Sequence, residues 1–122
     1  MQAKNEMEAI KALNEKVAGI VESGSNANGN WIQYADGTMI QYGSILNNAN
    51  GLATVTLPKR FINSNVIVTT SISYNSYTSN NSVLTLVFPS NSSVGIYSRK
   101  SDGSVETNTT VKTNWQAIGR WK

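Results

Sequence analysis

The chain has no cysteine, no histidine and few charges. Without cysteine there is neither a disulfide framework nor a thiol nucleophile, so stability has to come from packing or association. Without histidine the commonest general base, a Ser-His-Asp triad and a histidine metal site are excluded. Charged residues make up 14% of the sequence, against roughly 25% in an ordinary soluble domain, and Ser, Thr and Asn take their place. That composition solvates outer strand faces without charge, and it also suits sugar-like partners met by hydroxyl and amide groups. No run approaches the roughly eighteen apolar residues of a membrane span, and the first residues lack the charged-then-apolar build of a secretory signal. A soluble, unprocessed chain without membrane insertion is expected.

Carboxylates are scarce where chemistry would need them. Beyond residue 22 they are Asp36, Asp102 and Glu106. Asp36 and Asp102 each precede a glycine, a pairing that turn geometry explains. A glycosidase needs two positioned carboxylates, and the pair Asp102 and Glu106 falls in one stretch that reads as an exposed loop. No glycine-rich phosphate loop follows a strand and opens a helix. The expectation is no enzyme, no cofactor and no metal. The net charge is +3 and the pI about 9.3, with the basic residues dispersed rather than interleaved with aromatics on one strand face, so nucleic acid is not an expected partner. The excess instead suits the phosphate- and carboxylate-bearing sugars of a Gram-negative surface.

Residues 2 to 22 are rich in helix formers and free of proline, and SGSNANGN follows as a turn-forming run. The apolar positions Ile10, Leu13, Val17 and Ile20 are spaced three, four and three apart, a heptad seam. A second seam through Met7, Ile10, Asn14, Val17 and Val21 fits nearly as well. The reading is a coiled-coil trimerisation helix over 1–22, a linker over 23–29 and a β head over 30–122. Met1 leads straight into what reads as mid-helix sequence, as in a piece of a longer chain.

From Asn30 the period becomes that of strands. NWIQYADGTMIQYG reads as a hairpin with Asp36-Gly37 as a two-residue turn. That turn would place Trp31 opposite Tyr42 and Gln33 opposite Ile40 on one face, and Ile32 opposite Gln41 and Tyr34 opposite Met39 on the other. Further strands are expected at Leu52–Leu57, Val66–Tyr74, Val83–Phe88, Val94–Ser98, Ser104–Val111 and Trp115–Trp121. Short strands with turn chemistry between them indicate a mostly β protein, an antiparallel β-sandwich or barrel-like head.

Four segments, GNWIQYADGTMIQYG at 29–43, ATVTLPKRFINSNVIVTTSIS at 53–73, GIYSRKSDG at 95–103 and NWQAIGRWK at 114–122, occur in an order that resembles the C-terminal domain shared by tail fibre proteins of tailed phages and prophages, the gp53-like class. The resemblance implies a homotrimer at the distal end of a fibre on a virion. It also implies binding to host lipopolysaccharide, capsule or an outer-membrane protein. The loops around 74–82 and 99–110 depart from the family pattern, so receptor identity does not carry across. Loops carry recognition: Tyr74 and Tyr77 are candidates to stack on a sugar ring, with Asn75, Asn80 and Asn81 as hydrogen-bonding groups and Arg99 and Lys100 as anion contacts. The candidate trimer interface comprises Ile10, Leu13, Val17, Ile20, Trp31 and Tyr42. A lectin-like carbohydrate-binding module or adhesin, and a purely structural trimerisation cap, are the alternatives.

Overall fold

The computed structural model describes residues 5–11, 19–73, 82–100, 102–107, 109 and 111–122. Residues 5–11 are helical and exposed. Leu13 and Val17 lie outside the described residues. Among the described residues eight strands follow, all paired antiparallel: β1 Ile20–Asn26, β2 Gly29–Tyr34, β3 Thr38–Leu46, β4 Leu52–Thr56, β5 Ile67–Ser73, β6 Ser82–Pro89, β7 Ser93–Lys100 and β8 Lys112–Arg120. They form a five-stranded sheet, ordered β1-β2-β3-β8-β5, and a three-stranded sheet, ordered β4-β7-β6.

The β region begins earlier than the sequence reading put it. Ile20, Val21 and Glu22, read as the end of the helix, belong to β1, and Ser23–Gly29, read as a linker, is the rest of that strand, the turn at Ala27 and Asn28, and the first residue of β2. Gly19 takes a φ of +69°, outside right-handed helical geometry, and the β-branched Ile20 and Val21 favour the strand that follows. From Glu22 to Asn26 every residue pairs with β2, which satisfies backbone groups that a free linker would leave to water. The Asn26 carboxamide oxygen accepts the Asn28 N–H at 2.8 Å and fixes the turn.

The register of the first hairpin also differs from expectation, by one residue. Trp31 pairs with Gln41, Ile32 with Ile40, and Gln33 with Met39. Gly37 adopts a φ of +98° and donates its N–H to the Tyr34 carbonyl at 3.0 Å, so the connection is the three-residue Ala35-Asp36-Gly37, with glycine in the left-handed position that such loops require. The Asp36 carboxylate accepts the Thr38 N–H at 2.8 Å. A one-residue slip moves side chains to the other face of the sheet. Trp31 and Gln33 therefore join Met39 and Gln41 on the inner face, while Ile32, Ile40 and Tyr42 face outward. Trp31 and Tyr42 do not share a face.

The sheets meet over a core drawn from both. Met39, Trp115 and Ala117 come from the larger sheet, Ala53, Val55, Val94 and Ile96 from the smaller, and Leu57, Phe61 and Val66 from the connection between β4 and β5. Trp115 can sit beneath the first hairpin because positions 29 and 43 lack side chains: a Cβ there would lie 3.0 Å and 3.1 Å from its ring. The terminal WQAIG motif is central, since β8 lies between β3 and β5 and pairs with both. Past β8, the Trp121 indole donates to the Tyr34 carbonyl at 2.8 Å, tying the chain end to the first hairpin. Of the segment Ser104–Val111, expected as a strand, the described residues make one isolated bridge, Val105 with Arg99. Beyond Val105 it has no apolar alternation to bury, and Glu106 turns inward to 4% exposure, which corrects the reading of Glu106 as part of an exposed loop.

One buried polar side chain holds the β4–β5 connection to the sheet. Gln41 is 0% exposed; its amide donates to the Lys59 carbonyl at 2.8 Å and its oxygen accepts the Lys59 N–H at 2.9 Å. Gln41→Leu leaves both Lys59 backbone groups without this partner, and its expected cost is about 1–3 kcal/mol. Urea unfolding measures it, and an unchanged midpoint would show that the bridge contributes nothing.

Candidate binding faces

Of the residues singled out for recognition, Arg99 and Lys100 are described, at the end of β7; Tyr74, Asn75, Tyr77, Asn80 and Asn81 lie outside the described residues. Lys100 opens a tight turn, accepting the Gly103 N–H and donating its own to the Ser104 carbonyl, at 2.9 and 2.8 Å. Asp102 caps that turn through the Ser104 amide and hydroxyl, and the Ser104 hydroxyl foremost holds its carboxyl below the usual range. Asp102 is thus engaged in turn geometry.

Arg99 stands on the outer face of the smaller sheet. Its guanidinium lies 5.6 Å from the centroid of the Tyr97 ring, within cation–π range, and one of its N–H groups donates to the Ser98 carbonyl at 3.2 Å. Phe88, 59% exposed, meets Tyr97 edge to face, with centroids 5.4 Å apart and planes at 88°. The register sets Leu86 beside Tyr97 and Phe88 beside Gly95, with Leu52 and Thr54 on the far side. The sequence reading missed this cluster. Its signal was present in VLTLVFP, where apolar residues at adjacent positions give β6 two apolar faces although only one can meet the core.

The outer face of the larger sheet is graded. In one row Ile32, Ile40, Ile118 and Ile67 stand side by side on β2, β3, β8 and β5, Ile67 being 70% exposed. The next row holds Asn30, Tyr42, Gln116 and Thr69, and the one after it Ser44, Asn114 and Ser71. Asn114 donates across to Ser71 and Ser73 at 3.2 and 2.9 Å. These polar rows line a shallow open depression of about 600 Å³.

The remaining interface candidates separate. Ile10 is exposed on the helical segment, Ile20 is exposed at the start of β1, and Trp31 is half-buried on the inner side. The Trp31 indole donates to Glu22 at 3.4 Å, and the Lys59 ammonium sits 5.2 Å from its ring centroid and 3.1 Å from the Glu22 carboxylate. The hydrogen bond that the Lys59 ammonium donates to the Glu22 carboxylate is the main cause lowering the Glu22 pKa. This cluster staples the edge strand β1 to the β4–β5 connection. Tyr42 alone of the pair Trp31 and Tyr42 faces outward. Among the described residues no group of three or more carboxylates could hold a metal ion, and no helix is long and apolar enough to cross a membrane.

This mostly β arrangement of antiparallel sheets is similar in fold to the C-terminal parts of solved pyocin tail fibres. The chain is similar to the C-terminal part of the R2 pyocin fibre of P. aeruginosa at 16% identity and a TM-score of 0.62, covering 88% of this chain and 28% of that one. An N-truncated R2-type pyocin tail fibre matches at 15% identity and 0.58, over 88% of this chain and 41% of that one. An N-truncated R1-type pyocin tail fibre matches at 18% and 0.53, over 89% and 94%. The chain thus spans well under half of the two R2 fibre chains. No curated protein sequence matches. The family model for the tail fiber protein gp53-like C-terminal domain matches residues 33–120. The chain belongs to that family of tail fibre C-terminal domains.

Proposed function

We propose that this domain is the distal, receptor-binding end of a tail fibre: a homotrimer that attaches a particle to a bacterial surface glycan, such as lipopolysaccharide or capsule, without catalysis. The observation that carries the reading is the outward row of four isoleucines, of which Ile67 is exposed and Ile32, Ile40 and Ile118 are half-buried in one chain. Soluble chains seldom leave a continuous aliphatic row to water, and three copies around one axis would cover it. A coiled-coil stem through Ile10, Leu13 and Val17 would hold the copies together on the same axis, with Ile20 no longer part of its seam. Three weak polar sites then act together, and linked binding multiplies affinity without new contacts.

Light scattering on a sizing column tests the assembly. The expected mass is about 40 kDa, three times the 13.2 kDa of one chain. A monomer would overturn the trimer and favour the second reading, a single lectin-like module using the hydroxyl-lined depression beside Tyr42.

A further inference from the structure

We infer that the outer face of the smaller sheet is a saccharide site, formed by Tyr97, Phe88 and Arg99 around Gly95, and that it takes a sugar carrying a carboxylate. The inference rests on the adhesive reading above and assigns it a place and a ligand class.

The shape comes from Gly95. A Cβ at this position would meet nothing within 4 Å except the Phe88 Cβ at 3.8 Å. The absent side chain leaves a notch one residue wide, bounded by Thr54, Phe88 and Tyr97 on the neighbouring strands and the same strand. The Phe88 and Tyr97 rings stand perpendicular, so one presents an edge and the other a face. Apolar C–H faces of a pyranose pack against such rings, and the Tyr97 hydroxyl supplies a polar tip.

The charge comes from Arg99. Its guanidinium is held in place by the Tyr97 ring and the Ser98 carbonyl, and no carboxylate among the described residues lies within ion-pair distance of it. The Ser98 bond uses one of five N–H donors, and the planar fork of the others matches a carboxylate in two-point geometry. The contrast with the isoleucine row separates the two faces: that row is aliphatic and uncharged, suited to a second copy, whereas this one sets a cation without an ion-pair partner among the described residues beside two aromatic rings.

The test titrates the full chain with an oligoglucuronate, the neutral oligoglucose of equal length and inorganic phosphate, for the parent, Arg99→Gln and Gly95→Leu. The open space at Gly95 lets the leucine fill the notch without moving the backbone. Loss of a charge-assisted bidentate contact should weaken oligoglucuronate binding about tenfold or more in Arg99→Gln. Gly95→Leu should abolish it, and both variants should keep the parent's mass and melting temperature. Equal binding by parent and variants overturns the site. So does phosphate competing as well as the saccharide, since the rings would then contribute nothing, and so does a changed mass in Gly95→Leu, which would make this face a chain–chain contact. Labelled protein applied to bacterial cells separates the levels. A parent that coats cells but ignores oligoglucuronate overturns the acidic-sugar assignment and leaves the adhesive reading intact; a parent that coats no cells overturns the adhesive reading itself, while Arg99-dependent binding of the probe would still support the face.

Discussion

Ile67→Asp is expected to turn the assembled protein into a folded monomer. Ile67 is 70% exposed in the single chain, so the substitution removes little burial from the protomer, and surface changes of this kind alter stability by about 0.5 kcal/mol or less. In an assembly that buries the isoleucine row, the same substitution would place three carboxylates in an apolar contact without partners, a cost association cannot meet. Mass by light scattering should fall from about 40 kDa to that of one chain, with an unchanged far-ultraviolet spectrum. Attachment to cells should fall about a hundredfold to ten-thousandfold, because simultaneous engagement of linked sites is lost. A trimer that survives Ile67→Asp would show that copies meet elsewhere.

Phe61→Ala and Phe88→Ala delete the same ring with opposite consequences. Phe61 is 1% exposed and packs in the shared core against Gly119, where a Cβ would come within 2.8 Å of its ring. Removing it leaves a cavity in a tightly packed interior, and the expected loss is about 3 to 5 kcal/mol, read as a shifted urea midpoint with little change in slope. Phe88 is 59% exposed, so its deletion should cost under about 1 kcal/mol while weakening the saccharide contact. Equal destabilisation by the two would mean that the outer face of the smaller sheet is covered in the assembled protein.

Much of the architecture was legible because strands announce themselves where one face is buried. β4, β5, β7 and β8 fall close to the predicted segments, since Ala53, Val55, Val94, Ile96, Trp115 and Ala117 mark the inner face at alternate positions. β1 was not legible: SGSN carries no apolar alternation, and the helix formers before it extended the helical pattern. The hairpin was found but misregistered, because Asp36-Gly37 suits both a two-residue turn and the end of a three-residue loop. Only the contacts of Met39 and Gln41 with the core decide between them. That single residue hid the isoleucine row, which the mistaken register divided between faces. The cation at Arg99 was readable; its aromatic neighbours were not, because Phe88 and Tyr97 are nine residues apart and meet through the β6–β7 pairing.

The position of β8 has a consequence for how the domain comes into being. β3 and β5 each offer an edge that the last strand alone fills. A chain emerging from the ribosome can close its early hairpins at once, but the larger sheet has to wait for residues 112 to 120, whose partners on β3 are some seventy positions back. Contacts of such separation slow folding. A product cut short before β8 would carry two open edges, the kind of surface on which chains aggregate. Only the finished protomer joins β3 to β5 through β8 and so covers the edge that each turns toward it.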